Sequence, residues 1–501
     1  MRAPAAKTTR PRRAIAPPIL AARLNSRITL EAGADGSLAA NIDGQRLPLG
    51  KFSAGAAKRA QALRTGLPLE SFASETDSVD QEVTLLVRRL ARSGLLEYRL
   101  GQNGGKDQVV IEPQTAGYWP RTPKLAATDL IALSRFAYLR RRGNEMVLES
   151  PRSGALFRIC DPGIAGILAA LSTPQRVKKL RAQPGFPGDA LLALLLDGGI
   201  LFRPDPTRDG SPRMTEGDDD LVLWDFHDLM FHTRTTEGRQ ANPLGGTYPY
   251  AGLIDPPPAV RPRWPGRKID LRKLSPEGSL SPVAMLLRAR HSTRSFDDRH
   301  PVTLAELARF LDGAARVLGK WRAKVDGDGP VVTYAARPYP SGGSAYELEL
   351  YLAVANCDGL PRGFYHYDAG GHALVPIDAR SQDLDALLTA SAYAMGATTA
   401  PQVLVTIAAR FARTSWKYSS IAYALVLKDA GVLLQTLYLM ATDLGLGGCG
   451  VGSTNIDLFS RMTGIEFHVE GPLCHFAIGR GAPKAFDGPP RDIGADESGA
   501  E

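Results

Sequence analysis

The chain has 501 residues, of which 44% are hydrophobic and 22% are charged, as in an ordinary globular protein. Its length allows two to four domains, and no apolar run approaches the roughly 18–20 residues that span a membrane. We therefore expect a cytoplasmic protein without a membrane segment. The net charge of +8 does not by itself indicate a nucleic-acid partner. The four scattered cysteines form no CxxC pair, which argues against a zinc site and against a disulfide framework.

Residues 1–24 are rich in arginine and proline. The prolines and the lack of a compact apolar stretch argue against a secretion signal. Organelle targeting is an alternative, but the composition favours a disordered basic tail.

Residues 25–115 have the pattern of a winged helix, in which a helix is followed by a strand hairpin. The predicted elements are strands at 27–31 and 38–42, helices at 54–65 and 77–94, and strands at 95–100 and 109–111. Gly94 is expected to end the second helix.

The pattern recurs over residues 130–205, so we predict a second winged-helix-like unit. Its predicted elements are strands at 136–140, 145–149 and 155–159, helices at 162–172, 174–181 and 189–199, and a strand at 200–203. A winged helix can bind DNA, bind a peptide or brace another domain. Because neither presumptive recognition helix is strongly basic, we favour peptide recognition and expect no nucleic-acid partner.

Residues 206–274 are predicted to form a linker and a segment that wraps the next domain. His227 and His232 are five residues apart, which is not the spacing of a helical metal-binding pair, so no metal site is predicted.

Residues 275–488 are predicted to form an α+β domain, followed by a disordered tail at 489–501. The predicted helices are at 281–290, 303–316, 382–393 and 419–444, and the predicted strands are at 347–355, 363–367, 373–377, 402–410 and 474–479.

The first segment whose residues suit a ligand or a reaction is the basic turn at 290–296, between two of these helices. Arg290, His291, Ser292 and Arg294 place guanidinium forks and a hydroxyl close together, which suits a phosphate group. An exposed basic loop is the alternative.

The second segment is the loop Pro340, Ser341, Gly342, Gly343 and Ser344, which precedes an alternating strand. Small residues here permit a flat or anionic ligand to approach the backbone. A tight turn without a ligand is the alternative.

The third segment is the pair Lys417 and Tyr418 at the entrance of the long helix. Such a pair can act in acid–base chemistry if burial changes its proton affinity, whereas an exposed lysine beside an amphipathic tyrosine is the alternative.

The fourth segment, 443–452, contains five glycines and is predicted to be a loop. It lacks the strand-to-helix context of a dinucleotide-binding fingerprint. Cys449 in it is expected to pack or to line a cofactor rather than to act as a nucleophile.

In this order and spacing, the four segments resemble the nitroreductase-like flavoprotein superfamily over about residues 220–485. Arg290, Ser292, Arg294 and Phe296 match its RxSxRxF motif, and 445–447 matches the Gly-Leu-Gly end of its long helix. Within the superfamily the chain is most similar to SagB-type dehydrogenases, the azoline oxidases of thiazole- and oxazole-containing peptides. The narrower resemblance rests on the serine-rich loop, on Lys417 and Tyr418, and on the upstream segment 226–248.

The resemblance implies an FMN site built from two parts of the chain. Arg290, His291, Ser292 and Arg294 would hold the phosphate and ribityl groups. The residues expected to approach the flavin ring, in this superfamily usually from the partner subunit of a homodimer, are Pro340, Ser341, Gly342 and Ser344. Gly447 and Gly448 would line the ring from the other side, and Arg480 would make a late phosphate contact. The asparagine common in the serine-rich loop is Ser344 here, so that polar contact would be shorter or absent.

The resemblance also implies FMN-dependent oxidation of azoline rings to azoles in a ribosomally made peptide, with Lys417 or Tyr418 as the base. The longer relatives carry winged-helix-like units that recognise peptides, so a leader peptide and a cyclodehydratase are the expected partners. Two alternatives stay open. One is an NAD(P)H-dependent reductase of small nitro, quinone or enone compounds, and the other is a flavin-free scaffold that presents peptide to a cyclodehydratase.

Overall fold

The computed structural model describes residues 18–42, 45–72, 77–102, 105–183, 185–208, 213–236, 246, 248–274, 280–325 and 327–481. The described chain divides into two compact units. The first extends to Val222 and includes Leu229–Arg234, and the second contains Leu223–Asp228 and the C-terminal half. Most of both predicted disordered tails, and the positions of Gly245 and Thr247, lie outside the described residues.

The first unit combines three sheets with short helices. Its elements are β1 (Ile19–Leu24), β2 (Ile28–Ala32), β3 (Ser37–Ile42), β4 (Gln45–Lys51), α1 (Ala54–Ala60), β5 (Leu67–Pro68), α2 (Ser78–Arg92), β6 (Leu96–Gly101), β7 (Asp107–Pro113), β8 (Leu130–Leu133), β9 (Tyr138–Arg142), β10 (Glu145–Glu149), β11 (Ala155–Ile159), α3 (Gly163–Ala170), β12 (Gln175–Arg176), α4 (Val177–Arg181), α5 (Asp189–Asp197), β13 (Leu201–Phe202) and α6 (Asp219–Val222). Helix α7 (Phe226–Arg234) follows.

Helix α2 and the β6–β7 hairpin confirm the helix-then-hairpin order predicted for residues 77–111. Asp77 caps the helix by accepting a hydrogen bond from the Asp80 backbone N–H at 2.7 Å. Gly94 ends it with a φ of 67°, a left-handed conformation that suits glycine. The assignment of the two units as winged helices stays a prediction.

One continuous antiparallel sheet joins the two predicted units, in the strand order β5-β1-β6-β7-β11-β10-β9. The junction is the pairing of β7 with β11, in which Ile111 lies opposite Phe157. Residues 19–24 were predicted to belong to a disordered tail, and that prediction is wrong. They form β1, which pairs with β6 and buries Ala22 and Leu24 in the core.

The second unit is built around one antiparallel sheet. Its elements are α8 (Pro282–Ala289), α9 (Leu304–Ala315), β14 (Gly319–Lys324), β15 (Val331–Ala336), β16 (Leu348–Val354), β17 (Gly363–Asp368), β18 (Ala373–Ile377), α10 (Ser381–Met395), β19 (Val403–Arg410), α11 (Ala412–Ser415), α12 (Ala422–Asp443), β20 (Gly447–Val451), α13 (Ile456–Thr463) and β21 (Glu470–Gly479). The sheet order is β18-β17-β16-β19-β21-β20, and β14 and β15 form a separate hairpin.

Helix α12 is the central helix of this unit and contacts α8, α9, β20 and β21. Val426, Leu433 and Leu437 are buried at helical spacing and form its inner face. Among the described residues it is the one helix long and apolar enough to span a membrane by length and composition.

The fully buried Gln402 connects three segments next to the basic turn. Its side-chain oxygen accepts hydrogen bonds from the backbone N–H groups of Val302 and Arg480, both at 2.9 Å, and its amide donates to the Asp297 carbonyl at 2.8 Å. Because Asp297 follows the turn directly, this amide fixes where the turn leaves the domain surface.

Replacing Gln402 by leucine keeps the approximate volume but leaves these backbone groups without their partner. Each buried unsatisfied group costs about 1–3 kcal/mol, and of the three only Val302 is fully buried, so we expect a loss of about 2–5 kcal/mol in the free energy of unfolding. The midpoint of thermal unfolding measures the loss, and Gln382→Leu on the exposed face of α10 is the matched control. Equal midpoints for the two variants would show that Gln402 does not fix the turn.

Candidate active site

The basic turn at 290–296 is attached to α12 and to β20. Arg290 is the C-terminal cap of α8, and its guanidinium carbon lies 5.1 Å from the ring centroid of Tyr438. The Ser292 hydroxyl oxygen is 2.9 Å from the Tyr438 hydroxyl oxygen, and the Thr293 N–H donates to the Gly448 carbonyl at 2.8 Å. His291 and Arg294 on the same turn are exposed. The turn therefore has a fixed backbone and basic side chains that face solvent.

The glycine-rich segment after α12 is a strand and not the predicted loop. A Cβ atom at Gly447 would lie 2.6 Å from a Thr293 side-chain carbon, and one at Gly448 would collide with the ring of Phe476. The absence of side chains therefore lets β20 pair with β21 while it packs directly against the basic turn. Cys449, between two of the glycines, is buried in the core as expected.

Asp429 of α12 anchors the serine-rich loop. Its carboxylate accepts hydrogen bonds from the Ser341 hydroxyl and from the Gly342 N–H, both at 2.8 Å. The Ser341 hydroxyl oxygen in turn accepts from the Tyr346 N–H at 2.9 Å. Ser344 has a φ of 54°, a strained value for a residue with a side chain, so the loop is held in an unusual conformation.

Lys417 and Tyr418 lie directly against this loop. The Lys417 ammonium donates to the Gly343 carbonyl at 3.0 Å. A Cβ atom at Gly343 would collide with the Tyr418 hydroxyl and lie 2.5 Å from the Lys417 nitrogen, and Gly343 has a φ of 58°. A methyl group here would have to displace the ends of both side chains, and the positive φ disfavours a residue with a side chain. Lys417 is exposed in the single chain, so the burial considered for it from the sequence is not provided by the described residues.

Within the chain, the predicted site residues form two separate groups on one helix. Asp429 holds the loop that contacts Lys417 and Tyr418, and Tyr438 holds the basic turn. Nine residues separate these two anchors, which corresponds to about 13 Å along an α-helix. The structure thus brings together the members of each group and keeps the two groups apart.

Arg480 is not part of either group. One of its guanidinium nitrogens lies 2.7 and 2.8 Å from the two carboxylate oxygens of Glu306, and its Nε donates to the His300 carbonyl at 3.2 Å. Hydrogen bonds from Thr303 and from Arg480 hold the pKa of Glu306 below its usual value. A phosphate contact by Arg480 would compete with this ion pair, and its predicted role stays a prediction.

Sequence reasoning missed three residues of the site, which are Glu347, Asp429 and Tyr438. Asp429 gave a local signal, because it is an acidic residue on the buried, otherwise apolar face of α12. Glu347 and Tyr438 gave no local signal. The partner of Glu347 is Asp429, 82 residues away, and the partner of Tyr438 is Ser292, 146 residues away. Among the described residues, no group of three or more His, Cys, Asp or Glu side chains could hold a metal ion.

The comparisons with known proteins agree with this architecture. The nitroreductase family model matches residues 287–480, and the model of the cyanobactin oxidase ThcOx matches residues 131–241. A Methanocaldococcus jannaschii protein that is named as a nitroreductase is 31% identical over 195 residues, which are 39% of this chain and 89% of the relative.

Two solved structures are more distant relatives. The E. coli microcin synthetase McbBCD complex with truncated pro-MccB17 bound is 18% identical, with a TM-score of 0.37, and the match covers 53% of this chain and 97% of the other. A Bacteroides fragilis nitroreductase with bound FMN is 14% identical, with a TM-score of 0.26, and the match covers 44% of this chain and 100% of the other.

An oxidoreductase is the class that the two family models define. The chain belongs to the nitroreductase family, and its C-terminal half has the α+β nitroreductase fold predicted from the sequence. The ThcOx match in the N-terminal half confirms the narrower resemblance to the azoline oxidases.

The carboxyl group of Glu347 predicts a pH dependence of stability. Complete burial and the neighbouring Asp429 raise its pKa to about 7. The folded chain therefore binds this proton more tightly than the unfolded chain does. The resulting stabilisation is complete below the pKa of an unfolded glutamate, near 4.3, and is lost as the pH rises through about 7.

We accordingly expect the unfolding temperature of the wild type to fall between about pH 4.5 and pH 7, and Glu347→Gln to flatten this fall. A neutral amide has no proton to lose in that range. Thermal unfolding across the pH range measures the slope, and the exposed Glu466→Gln is the control. A wild-type slope in Glu347→Gln would contradict the assignment.

Proposed function

We propose that the chain is an FMN-dependent oxidase that converts azoline rings to azoles in a ribosomally synthesised peptide. The observation that carries the proposal is the contact of Lys417 and Tyr418 with Gly343. It sets two proton-accepting groups against the loop expected to approach a flavin. The match of ThcOx and nitroreductase models within one chain supports this reaction over others of the family.

The described residues suit both the phosphate end and the ring end of FMN. The exposed His291 and Arg294, with the Ser292 hydroxyl, form a donor set that suits a phosphate. The small residues of the serine-rich loop leave its backbone accessible to a flat ring, whereas Gly447 and Gly448 are buried against Thr293 and Phe476 in the single chain. When bound, FMN supplies the acceptor for the hydride that leaves the azoline ring.

The chain's own residues would manage the proton in this reaction. Oxidation of an azoline removes a proton from Cα and a hydride from Cβ, and the ring becomes aromatic. A neutral Lys417 amine can keep its hydrogen bond to the Gly343 carbonyl and still offer its lone pair to the Cα proton. Tyr418, which also lies against Gly343, would then orient the ring or share the proton.

We expect Lys417→Ala and Tyr418→Phe each to lower kcat for azoline oxidation by about 10²–10⁴-fold, the usual contribution of a positioned acid or base. The assay is the loss of about 2 Da per ring from an azoline peptide, measured by mass spectrometry. Both variants are expected to keep bound FMN, which visible absorbance measures. Wild-type rates in both variants would remove these residues from the mechanism.

Gly343→Ala is expected to have a similar effect although it leaves both reactive side chains in place, because its methyl group must displace them. The control is Gly327→Ala, since a Cβ atom at Gly327 meets nothing within 4 Å. A Gly343→Ala enzyme as active as Gly327→Ala would show that the contact does not position the pair.

The proposed partners are an azoline-containing precursor peptide, a cyclodehydratase and a second copy of the chain. A homodimer is supported by α8, where Val283, Met285 and Leu287 are 62%, 53% and 46% exposed, and by the separation of the two groups of site residues on α12. The first unit is proposed to bind leader peptide. Light scattering checks the dimer, and co-purification with a cyclodehydratase checks the complex.

Reduction of small nitro, quinone or enone compounds by NAD(P)H is the second candidate, favoured by the 31% identity to the M. jannaschii protein. Stopped-flow measurement separates the two functions. Rapid bleaching of the flavin by NADPH alone favours the reductase, and no bleaching favours the oxidase.

A further inference from the structure

The second unit contains a cavity of about 630 Å³ whose walls are rich in charge. This volume is within the usual range of ligand sites. The β14–β15 hairpin contributes Thr333 and Tyr334 to the wall, and β16 contributes Glu349. None of the residues predicted to hold FMN lines the cavity.

Three arginines face this cavity, and among the described residues only one carboxylate lies within ion-pair distance of them. Glu349 is 3.4 Å from Arg410 and 3.9 Å from Arg337. Arg413 forms no ion pair with any described residue and donates only to the Ala345 and Thr333 carbonyls. Burial and the neighbouring Arg410 lower the pKa of Arg413, as expected where positive charge is in excess.

Arg337 is the most deeply buried of the three arginines. Its side chain is 7% exposed, and its Nε has no hydrogen-bond partner among the described residues, although a terminal nitrogen donates to the Leu348 carbonyl at 3.1 Å. A buried guanidinium N–H without an acceptor is costly, and an incoming oxygen would satisfy it.

The other charged groups of the wall do not cancel this excess. His366 lies 3.6 Å from Glu349, and this carboxylate raises the pKa of the imidazole. The imidazole therefore shares Glu349 with Arg337 and Arg410. Burial raises the pKa of Glu470, whose carboxyl accepts from the Tyr351 hydroxyl at 2.7 Å. Asp368 is held by backbone N–H groups of the adjacent turn and lies opposite Lys320 at the rim.

The cavity adjoins the proposed reaction site. Tyr334 lines it, and the Lys417 nitrogen is 5.6 Å from the centroid of that ring. Tyr346 also lines it, with a strained φ of 45°, and its N–H donates to Ser341 of the serine-rich loop. A chain that places one residue beside Lys417 can therefore extend a neighbouring residue toward the arginines.

We propose that this cavity is a carboxylate-binding subsite in which Arg337, Arg410 and Arg413 receive an acidic group of the substrate peptide. The proposal rests on the peptide substrate of the proposed function. The shared chemistry is a carboxylate, supplied by an acidic side chain or by a free C-terminus. A planar guanidinium fork matches the two oxygens of such a group.

The test measures binding without turnover, on the full-length FMN-loaded protein, by titration calorimetry with three tripeptide probes. One is acetyl-Gly-Glu-Gly-amide, the second is its Gln analogue, and the third is the Gln analogue with a free C-terminal carboxylate. We expect at least one carboxylate probe to bind about tenfold more tightly than the neutral amide, the effect of about 1.4 kcal/mol. The probe that binds more tightly than the neutral amide shows whether the carboxylate comes from a side chain or from the C-terminus.

Arg413→Gln and the half-exposed Arg410→Gln are each expected to reduce this preference to threefold or less, and Arg309→Gln on the exposed face of α9 is expected to keep it. Two substitutions are used because Arg413 also holds the Ala345 carbonyl, so one variant remains informative if the other misfolds. With a carboxylate-flanked azoline peptide, the loss should appear in KM with kcat retained.

Equal affinity for all three probes would overturn the proposal, as would a preference that survives both substitutions or no saturation by either carboxylate probe up to about 10 mM. The outcome is separate from that of the proposed function. A protein that prefers carboxylate probes but leaves azoline rings unchanged keeps the subsite and loses the oxidase. A protein that oxidises azoline rings but shows no preference for carboxylate probes keeps the oxidase and loses the subsite.

Discussion

The site depends on two polar side chains of the long helix α12. Asp429 and Tyr438 belong to α12, whose remaining inner face is apolar, and each holds one loop by hydrogen bonds. A helix is a stiff spacer with a fixed rise per residue, so the serine-rich loop and the basic turn cannot approach each other within the chain. The packing of α12 against the sheet thus decides where each half of the site lies.

Two carboxyl groups at the start of β16, Glu347 just before the strand and Glu349 within it, lie in different electrostatic environments. Glu347 is buried beside Asp429, and its pKa is raised to about 7. Burial also opposes the ionisation of Glu349, but His366, Arg337 and Arg410 together outweigh it, and the pKa of Glu349 is lowered. The two residues are two positions apart, yet the surroundings of the first favour its protonated form and those of the second favour its ionised form.

The sequence predicts best those elements whose signal is local. The apolar spacing of α2, the alternation of β16 and the apolar run of β19 give their type and nearly their ends. Strand β20 was missed because four of its five residues are small and three are glycine, which intrinsically disfavours a strand. The exposed, polar hairpin of β14 and β15 gave no periodic pattern either.

The candidate site was predictable only in part, for the same reason. The residue types of the basic turn and the serine-rich loop indicated a ligand, and the resemblance supplied its identity and the role of Lys417 and Tyr418. The anchors could not be found, because Ser341 and Asp429 are 88 residues apart and Ser292 and Tyr438 are 146 residues apart. Such pairs depend on the assembled core, which no sequence window contains.

The pairing of β7 with β11 limits how the N-terminal half can be divided. A truncation between the two winged-helix-like segments would remove the backbone partners of residues 109–113 and leave an open strand edge. Such fragments would tend to associate through that edge. An exchange of this half between homologues should therefore move both segments as one block.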